Sequence, residues 1–423
     1  MPVRSGLRRA AAAAAAVFAL TLVAAGCSAD PVPGSSASST QQDLPKATRD
    51  QLHSAVIDAM TASGASGAIV GVWAPWSGAW VAGLGTSVDA DMTFRAGAIT
   101  RPMMCDILYQ LDAKGTVDLG DSVTRYVGGM PKYSEVTLGD LCDSTSGIGS
   151  YRALLDAQLL GNPTRQWDPR ELVAYGVGQV GGEVRPGVAY RDSDAGYLLL
   201  GLALERATGK SPSELLREYV VAPLGLGHTA LPGPAAAAPG VAGSEPLRGY
   251  YLGERTKSGA YACDKPTEIT EQSASYGATD SGVVSDIHDL GTYVRALATG
   301  QLVKDKKRFA DALPVTDGAP AWFTTAGGAV TMGPLIGQYG ATAGYLTAAF
   351  SDPKSGLTVA VVLNNSSMGR GAIVDLSREL AAIASKAPAA EGADAPAVGL
   401  PWTAEQFHDS IAKNAICAAA KKK

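Results

Sequence analysis

The sequence predicts an α+β fold in which strands from both ends of the chain build one antiparallel sheet and the middle forms a large helical subdomain. Three observations predict it. A helix and two short apolar strands open the folded part, a long and mainly helical stretch runs to about residue 300, and two more strands with a helix close it. No internal repeat is visible.

The elements follow in order. Arg4, Arg8 and Arg9 precede an apolar run over residues 10–25, the pattern of an export signal spanning residues 1–26. The run is shorter than the ~20 apolar residues a spanning helix needs. It ends Leu22-Val23-Ala24-Ala25-Gly26-Cys27, which resembles a bacterial lipobox with Cys27 as the lipidated residue; the alternative is an ordinary cleavable signal. Two acyl chains on one cysteine would hold the protein at a membrane. Residues 27–45, rich in Ser, Pro, Ala and Gly, read as a flexible tether. A folded domain is expected over 46–386, an Ala/Pro linker over 387–402, and a last helix with a basic tail over 403–423.

Inside the domain, Leu52, Val56 and Met60 give helical spacing over 47–63, and Gly64 is its stop. Apolar runs 68–73 and 79–84, parted by Pro75, Ser77 and Gly78, predict a hairpin. Met103, Met104, Ile107, Leu108 and Leu111 mark one face of a helix over 102–114, with Pro102 suited to the first turn and Gly115 to the stop. Ser211 and Glu214 form a capping box. Residues 345–351 and 357–364 read as strands joined by a turn at Asp352-Pro353-Lys354-Ser355-Gly356, and 372–385 as a helix.

Composition narrows the function. With 46% hydrophobic and 18% charged residues the chain is globular and long enough for a sizeable core. It carries 35 Lys and Arg against 40 Asp and Glu, a net charge of −5, and loss of the three leader arginines takes it to −8. The one basic cluster is Lys421, Lys422 and Lys423, so a nucleic-acid partner is not expected. His53, His228, His288 and His408 are scattered without ligand spacing, so neither a metal nor a cofactor is expected. There is no G-x-S-x-G elbow and no phosphate loop. Besides Cys27, four cysteines remain: Cys105, Cys142, Cys263 and Cys417. An exported chain permits two disulfides among them, in any of three connectivities, or four buried thiols.

Several segments, in order, resemble the β-lactamase-related serine hydrolases, the group of class C β-lactamases and D-alanyl-D-alanine carboxypeptidases. They are Met92-Thr93-Phe94-Arg95-Ala96-Gly97, LDAKGTVDLGDSVTRYV from Leu111, LCDSTSG from Leu141, PGVAYRDSDAGYLLLGLALERATG from Pro186, Pro223-Leu224-Gly225-Leu226, and stretches 282–290 and 337–364. The resemblance covers roughly residues 47 to 385 and implies the serine β-lactamase / D,D-peptidase-like fold. It also implies three catalytic elements. A Ser opens a helix as S-x-x-K, so that Lys can take its proton. A Y-x-N supplies a proton-transferring Tyr and an orienting Asn. A K-x-G or H-x-G on a strand binds the substrate carboxylate.

Each element is altered here. The S-x-x-K position reads Ala98-Ile99-Thr100-Arg101, without a nucleophile, and the Arg101 guanidinium stays protonated at any working pH. The Y-x-N position reads Asp192-Ser193-Asp194, and the H-x-G position reads Gln338-Tyr339-Gly340. Ser144 stands where the family commonly has a His. The family's serine mechanism is therefore closed, since losing the nucleophile alone can cost about 10⁶ in rate.

The replacements can form a set of their own, with Arg101 paired to Asp194 or Asp192 across the old cleft, or stand as three drifted residues facing water. Ser193 is the candidate substitute nucleophile, though it lacks an evident base, and Thr100 is expected to pack locally. Tyr339, Tyr345 and Tyr151 are expected near the cleft. By the resemblance, the backbone amides of Ala98 and Ala341 would form the oxyanion hole. The expected binding set is thus Ala98, Arg101, Ser193, Asp194, Tyr339, Gly340 and Ala341. Three readings follow: a monomeric, non-catalytic envelope lipoprotein that binds a cell-wall peptide or an envelope protein; a residual esterase or amidase using Ser193; and a purely structural envelope component.

Overall fold

The computed structural model describes residues 42–179, 185–305 and 307–417. The leader, Cys27, most of the tether and Lys421–Lys423 lie outside them. Eight antiparallel strands form the main sheet: β1 (Gly67–Ala74), β2 (Gly78–Gly85), β3 (Leu313–Pro314), β4 (Phe323–Ala326), β5 (Ala329–Met332), β6 (Leu335–Thr342), β7 (Tyr345–Ser351) and β8 (Thr358–Leu363). Their order is β2-β1-β8-β7-β6-β5-β4-β3, so β1 lies beside β8 and the two chain ends share one sheet.

Helices cover both faces: α1 (Lys46–Ser63), α2 (Thr100–Ala113), α3 (Arg152–Gly161), α4 (Pro169–Gly178), α5 (Asp194–Thr208), α6 (Ile287–Thr299), α7 (Arg370–Ala384) and α8 (Ala404–Lys413). Burial on both sides explains why β7 and β8 are apolar almost throughout. Alternation along each strand divides their side chains between two cores. Ile69, Ala349 and Val362 face the core of α2, α5 and α6. Val70, Phe350 and Val361 face the core of α1, α7 and α8, with Leu52, Leu376, Leu380 and Phe407.

Four expectations are corrected. Six strands, not two, follow the helical subdomain. The segment from Gly225 to Asp286 is mostly irregular, with two-residue strand pairs at Ala236–Ala237 with Gln272–Ser273 and Tyr250–Tyr251 with Thr267–Glu268. Pro232, Pro234, Pro239 and Pro246, each lacking a donor N–H, keep helices out of its first half. The tether ends earlier than residue 45: Leu44 is buried, its N–H donates to the Ala79 carbonyl at 2.9 Å, and the Gln42 carbonyl accepts from the Ala79 N–H. Residues 387–402 are not a free linker. The Trp76 indole donates to the Ala387 carbonyl at 2.9 Å, the Ala390 N–H donates to the Trp76 carbonyl, and Val398 and Trp402 are buried. The cysteines pair as Cys105–Cys142 and Cys263–Cys417.

Candidate functional site

The cleft lies where the first turn of α2 meets β6, the start of α5 and the segment 276–282. A 3-10 turn at Gly97–Ile99 leads into α2 and places Ala98 against the sheet. Gly340 makes this approach feasible: a Cβ there would lie 2.5 Å from the Ala98 Cβ and 2.9 Å from its N. The amides of Ala98 and Ala341 therefore belong to neighbouring backbone segments.

Arg101, in the first turn of α2, is buried to 7% exposure and saturated with carboxylates. Its Nη1 donates to Asp192 Oδ1 at 2.6 Å and its Nε to Asp280 Oδ1 at 2.8 Å, with the guanidinium 4.9 Å from the Tyr197 ring centroid. The partner is thus Asp192 and not Asp194. The pairs extend on both sides. Asp192 also accepts from Arg370, at the start of α7. Asp280 Oδ2 accepts from Arg152 Nη2 at 3.2 Å, and Arg152 Nε stands 3.7 Å from Asp194 Oδ2. Three guanidiniums and three carboxylates thus alternate in one line: Arg370, Asp192, Arg101, Asp280, Arg152, Asp194.

The electrostatics follow the geometry. Burial pulls the Arg101 pKa down, but the Asp192 and Asp280 charges outweigh it and hold the guanidinium above its ordinary value. Burial would raise the Asp192 carboxyl, yet Arg101 and Arg370 keep it well below the usual carboxylate range. Asp194 differs: burial pushes its carboxyl up and the Asp280 charge adds to the push, against Arg152. A base is needed to activate a nucleophile, and a guanidinium locked between two carboxylates is the opposite of one.

The other expected residues divide. Ser193 is buried and caps α5: its Oγ accepts from the Gly196 N–H at 2.9 Å and donates to the Gly149 carbonyl at 3.1 Å. Asp194 accepts from the Tyr151 N–H at 2.9 Å and the Ser150 hydroxyl at 2.5 Å. Gln338 is buried, donating to the Gly328 carbonyl at 2.8 Å, and its Oε1 accepts from the Tyr339 N–H. Thr100 packs locally, donating to the Gly97 carbonyl at 2.8 Å. Tyr339 does not line the cleft. Because β6 alternates, Gln338 and Gly340 face α2 while Tyr339 turns to the other core, its ring centroid 6.2 Å from Phe323 and 6.5 Å from Phe350. Tyr345 and Tyr151 are fully buried, their hydroxyls donating to the carbonyls of Leu247 and Tyr276. Cys27 lies outside the described residues.

Sequence reading missed Asp280, Arg152 and Arg370, which stand 179, 51 and 269 positions from Arg101 and carry no motif. A groove of about 350 Å³ adjoins the line of charges, walled by Arg152, Asp156, Tyr251, Tyr261, Ala341 and Ser367, among others. Open space and hydrogen-bonding side chains thus adjoin the line of charges.

Residues 52–383 match the family model described as Beta-lactamase. The chain belongs to the beta-lactamase family. It is similar to a penicillin-binding protein of Bacillus subtilis (strain 168), 25% identical over 146 residues, 32% of this chain and 30% of that protein. Penicillin-binding protein 4 of Amycolatopsis lactamdurans is 27% identical over 155 residues, 36% of this chain and 39% of that protein. The matched part spans only about a third of these relatives' length. Among solved structures, a D-stereospecific amidohydrolase from Streptomyces sp. shares 24% identity at a TM-score of 0.65, covering 75% of this chain and 94% of that one. The D-amino acid amidase of Ochrobactrum anthropi SV3 shares 21% at 0.62, covering 76% and 92%. These likenesses establish the serine β-lactamase-like α+β fold. The resemblance in sequence puts Ala98 and Arg101 at the family's S-x-x-K positions, and Asp192, Asp194 and Gln338 at the other altered ones.

Proposed function

We propose that this beta-lactamase-family chain binds and does not hydrolyse: an envelope lipoprotein, anchored through Cys27 on the outer face of the cytoplasmic membrane, whose cleft holds a cell-wall peptide or an envelope protein without turnover. One observation carries the reading. Arg101 is held between Asp192 and Asp280, beside Ala98, so the cleft has neither nucleophile nor base where the family's acylation needs both. Ser193 gives no substitute, because its hydroxyl is buried and occupied as a helix cap. The adjoining groove and the paired backbone segments at Ala98 and Ala341 support retained binding. The relatives' names, penicillin-binding protein and D-amino acid amidase, favour a ligand containing D-amino acids. No helix among the described residues is long and apolar enough to cross a membrane.

The test is covalent. Full-length protein incubated with a fluorescent penicillin and an activated-serine probe should show no adduct by intact mass, and no turnover of a chromogenic ester. An adduct on any serine, or ester turnover lost in Ser193→Ala, overturns the reading. Muropeptides should raise the melting temperature, because a ligand that binds only the folded state stabilises it.

A further inference from the structure

On the other side of the sheet from Arg101, α7 and α8 meet α1 around a buried carboxylate that the cleft does not use. Glu379, on α7, is 4% exposed. Its Oε1 lies 3.1 Å from His408 Nδ1 on α8, while its Oε2 is buried without a hydrogen-bond partner. Such an oxygen costs free energy unless something donates to it. Two grooves, of about 430 and 290 Å³, share Asp58, Glu379 and His408 in their walls. The larger adds Glu405 and Asp409, and its one Lys or Arg is Lys386. Apolar side chains also line both grooves, Ile383 in the larger and Ile411 in the smaller, beside Gln51, Ser54 and Thr61. Burial pushes the Glu379 carboxyl upward; His408 opposes this, and Asp58 and Glu405 add to it.

We infer that this junction binds a primary alkylammonium group, its charge between Glu379 and Asp58 and its alkyl stem along the apolar side chains. The ammonium is a compact point charge with three donors, one of which can serve Glu379 Oε2. A guanidinium fork wants both oxygens of one carboxylate, and Oε1 already faces His408. Among the described residues no group of three His, Cys, Asp or Glu is placed to hold a metal ion. Two sources share this chemistry. One is a free or peptide-borne amine. The other is the chain itself, since Cys417 lines the smaller groove and Lys421–Lys423 follow it in sequence.

The experiment is calorimetric titration of the full chain at pH 7 and constant ionic strength with pentylamine, and with 1-pentanol as the uncharged control. Saturable binding of pentylamine alone is expected, weakened roughly tenfold or more in Glu379→Gln, since a charge-assisted contact is lost. Asp58 is exposed, so Asp58→Asn should keep the fold and also weaken binding, which secures the test if Glu379→Gln fails to fold. A variant with Lys421, Lys422 and Lys423 changed to Ala separates the sources. Binding that emerges only in that variant assigns the site to the chain's own lysines and supports the inference. Equal binding of 1-pentanol, unchanged affinity in both carboxylate variants, or no binding with or without the three lysines overturns it.

Discussion

Arg101 sits in the first turn of α2, where the partial positive charge of the helix end disfavours a cation, and no acidic residue of that turn offsets it. Arg370 is the first residue of α7, also with no acidic residue in its turn. Two arginines at helix N-termini are tolerable because Asp192 bridges them and Asp280 closes the other side of Arg101. Asp192 thus balances two misplaced cations, which is why its carboxyl is held so low. Truncating Arg101 would leave the buried Asp280 and the half-buried Asp192 with one partner fewer. Arg101→Ala should therefore destabilise the fold by about 3 kcal/mol, the lower end for a broken buried ion pair, because Arg370 and Arg152 remain. Urea unfolding at pH 7 measures this, and a loss under about 1 kcal/mol would mean that the line of charges contributes little. Part of the arrangement was legible in the sequence: Arg101 and Asp192 could be matched because both fall at family motif positions. Asp280, Arg152 and Arg370 could not, since the fold alone brings them there. The one local signal was Arg370 itself, a cation opening a helix with no nearby acid.

Element by element, the best-read parts were those whose signals are local. The residue 345–351 strand was read to the residue, and the hairpin of β1 and β2 nearly so, because buried runs bounded by turn residues leave little choice. The hairpin of β4 and β5 was missed although it has a signal of its own: Gly327 and Gly328, both at positive φ, join two four-residue strands, and such two-residue turns favour glycine. Four-residue strands are too short for alternation to stand out. Ser193 shows the converse, a residue whose local role outweighs its motif position. It sits three residues before Gly196 at the start of α5, where a serine oxygen satisfies an orphan helix N–H. Ser193→Ala should cost about 1 kcal/mol in thermal or urea unfolding and change no hydrolytic rate. A variant as stable as the parent would remove the cap assignment and return Ser193 to the list of reactive candidates.

At the scale of the whole molecule, the chain is closed by its last segment. After α7 it passes Trp76, reaches Trp402 beside Trp322, and lays α8 against α1 and α7 with Phe407 and Ile411 buried. The Cys263–Cys417 bond then ties this end to the irregular segment at the helical subdomain, across 154 residues. None of the three pairings could be preferred from spacing, because Cys263 falls in a stretch with no periodic element to place it. With only ten residues, α8 is marginal as an isolated helix and is stabilised by this packing and by the tie beyond it. A bond closing so long a loop restricts the unfolded chain more than one closing the 37 residues between Cys105 and Cys142, by about 1 kcal/mol in the chain-entropy account. Cys417→Ser should thus lower stability by about 5 kcal/mol on that account. Cys263→Ser should match it, and the double variant should lose no more than either alone, because all three remove the same covalent bond. Urea midpoints of the oxidised proteins decide this. Additive losses would show that the two thiols stabilise the fold by their separate packing, and that the closing segment is held by α8 and Trp402 instead.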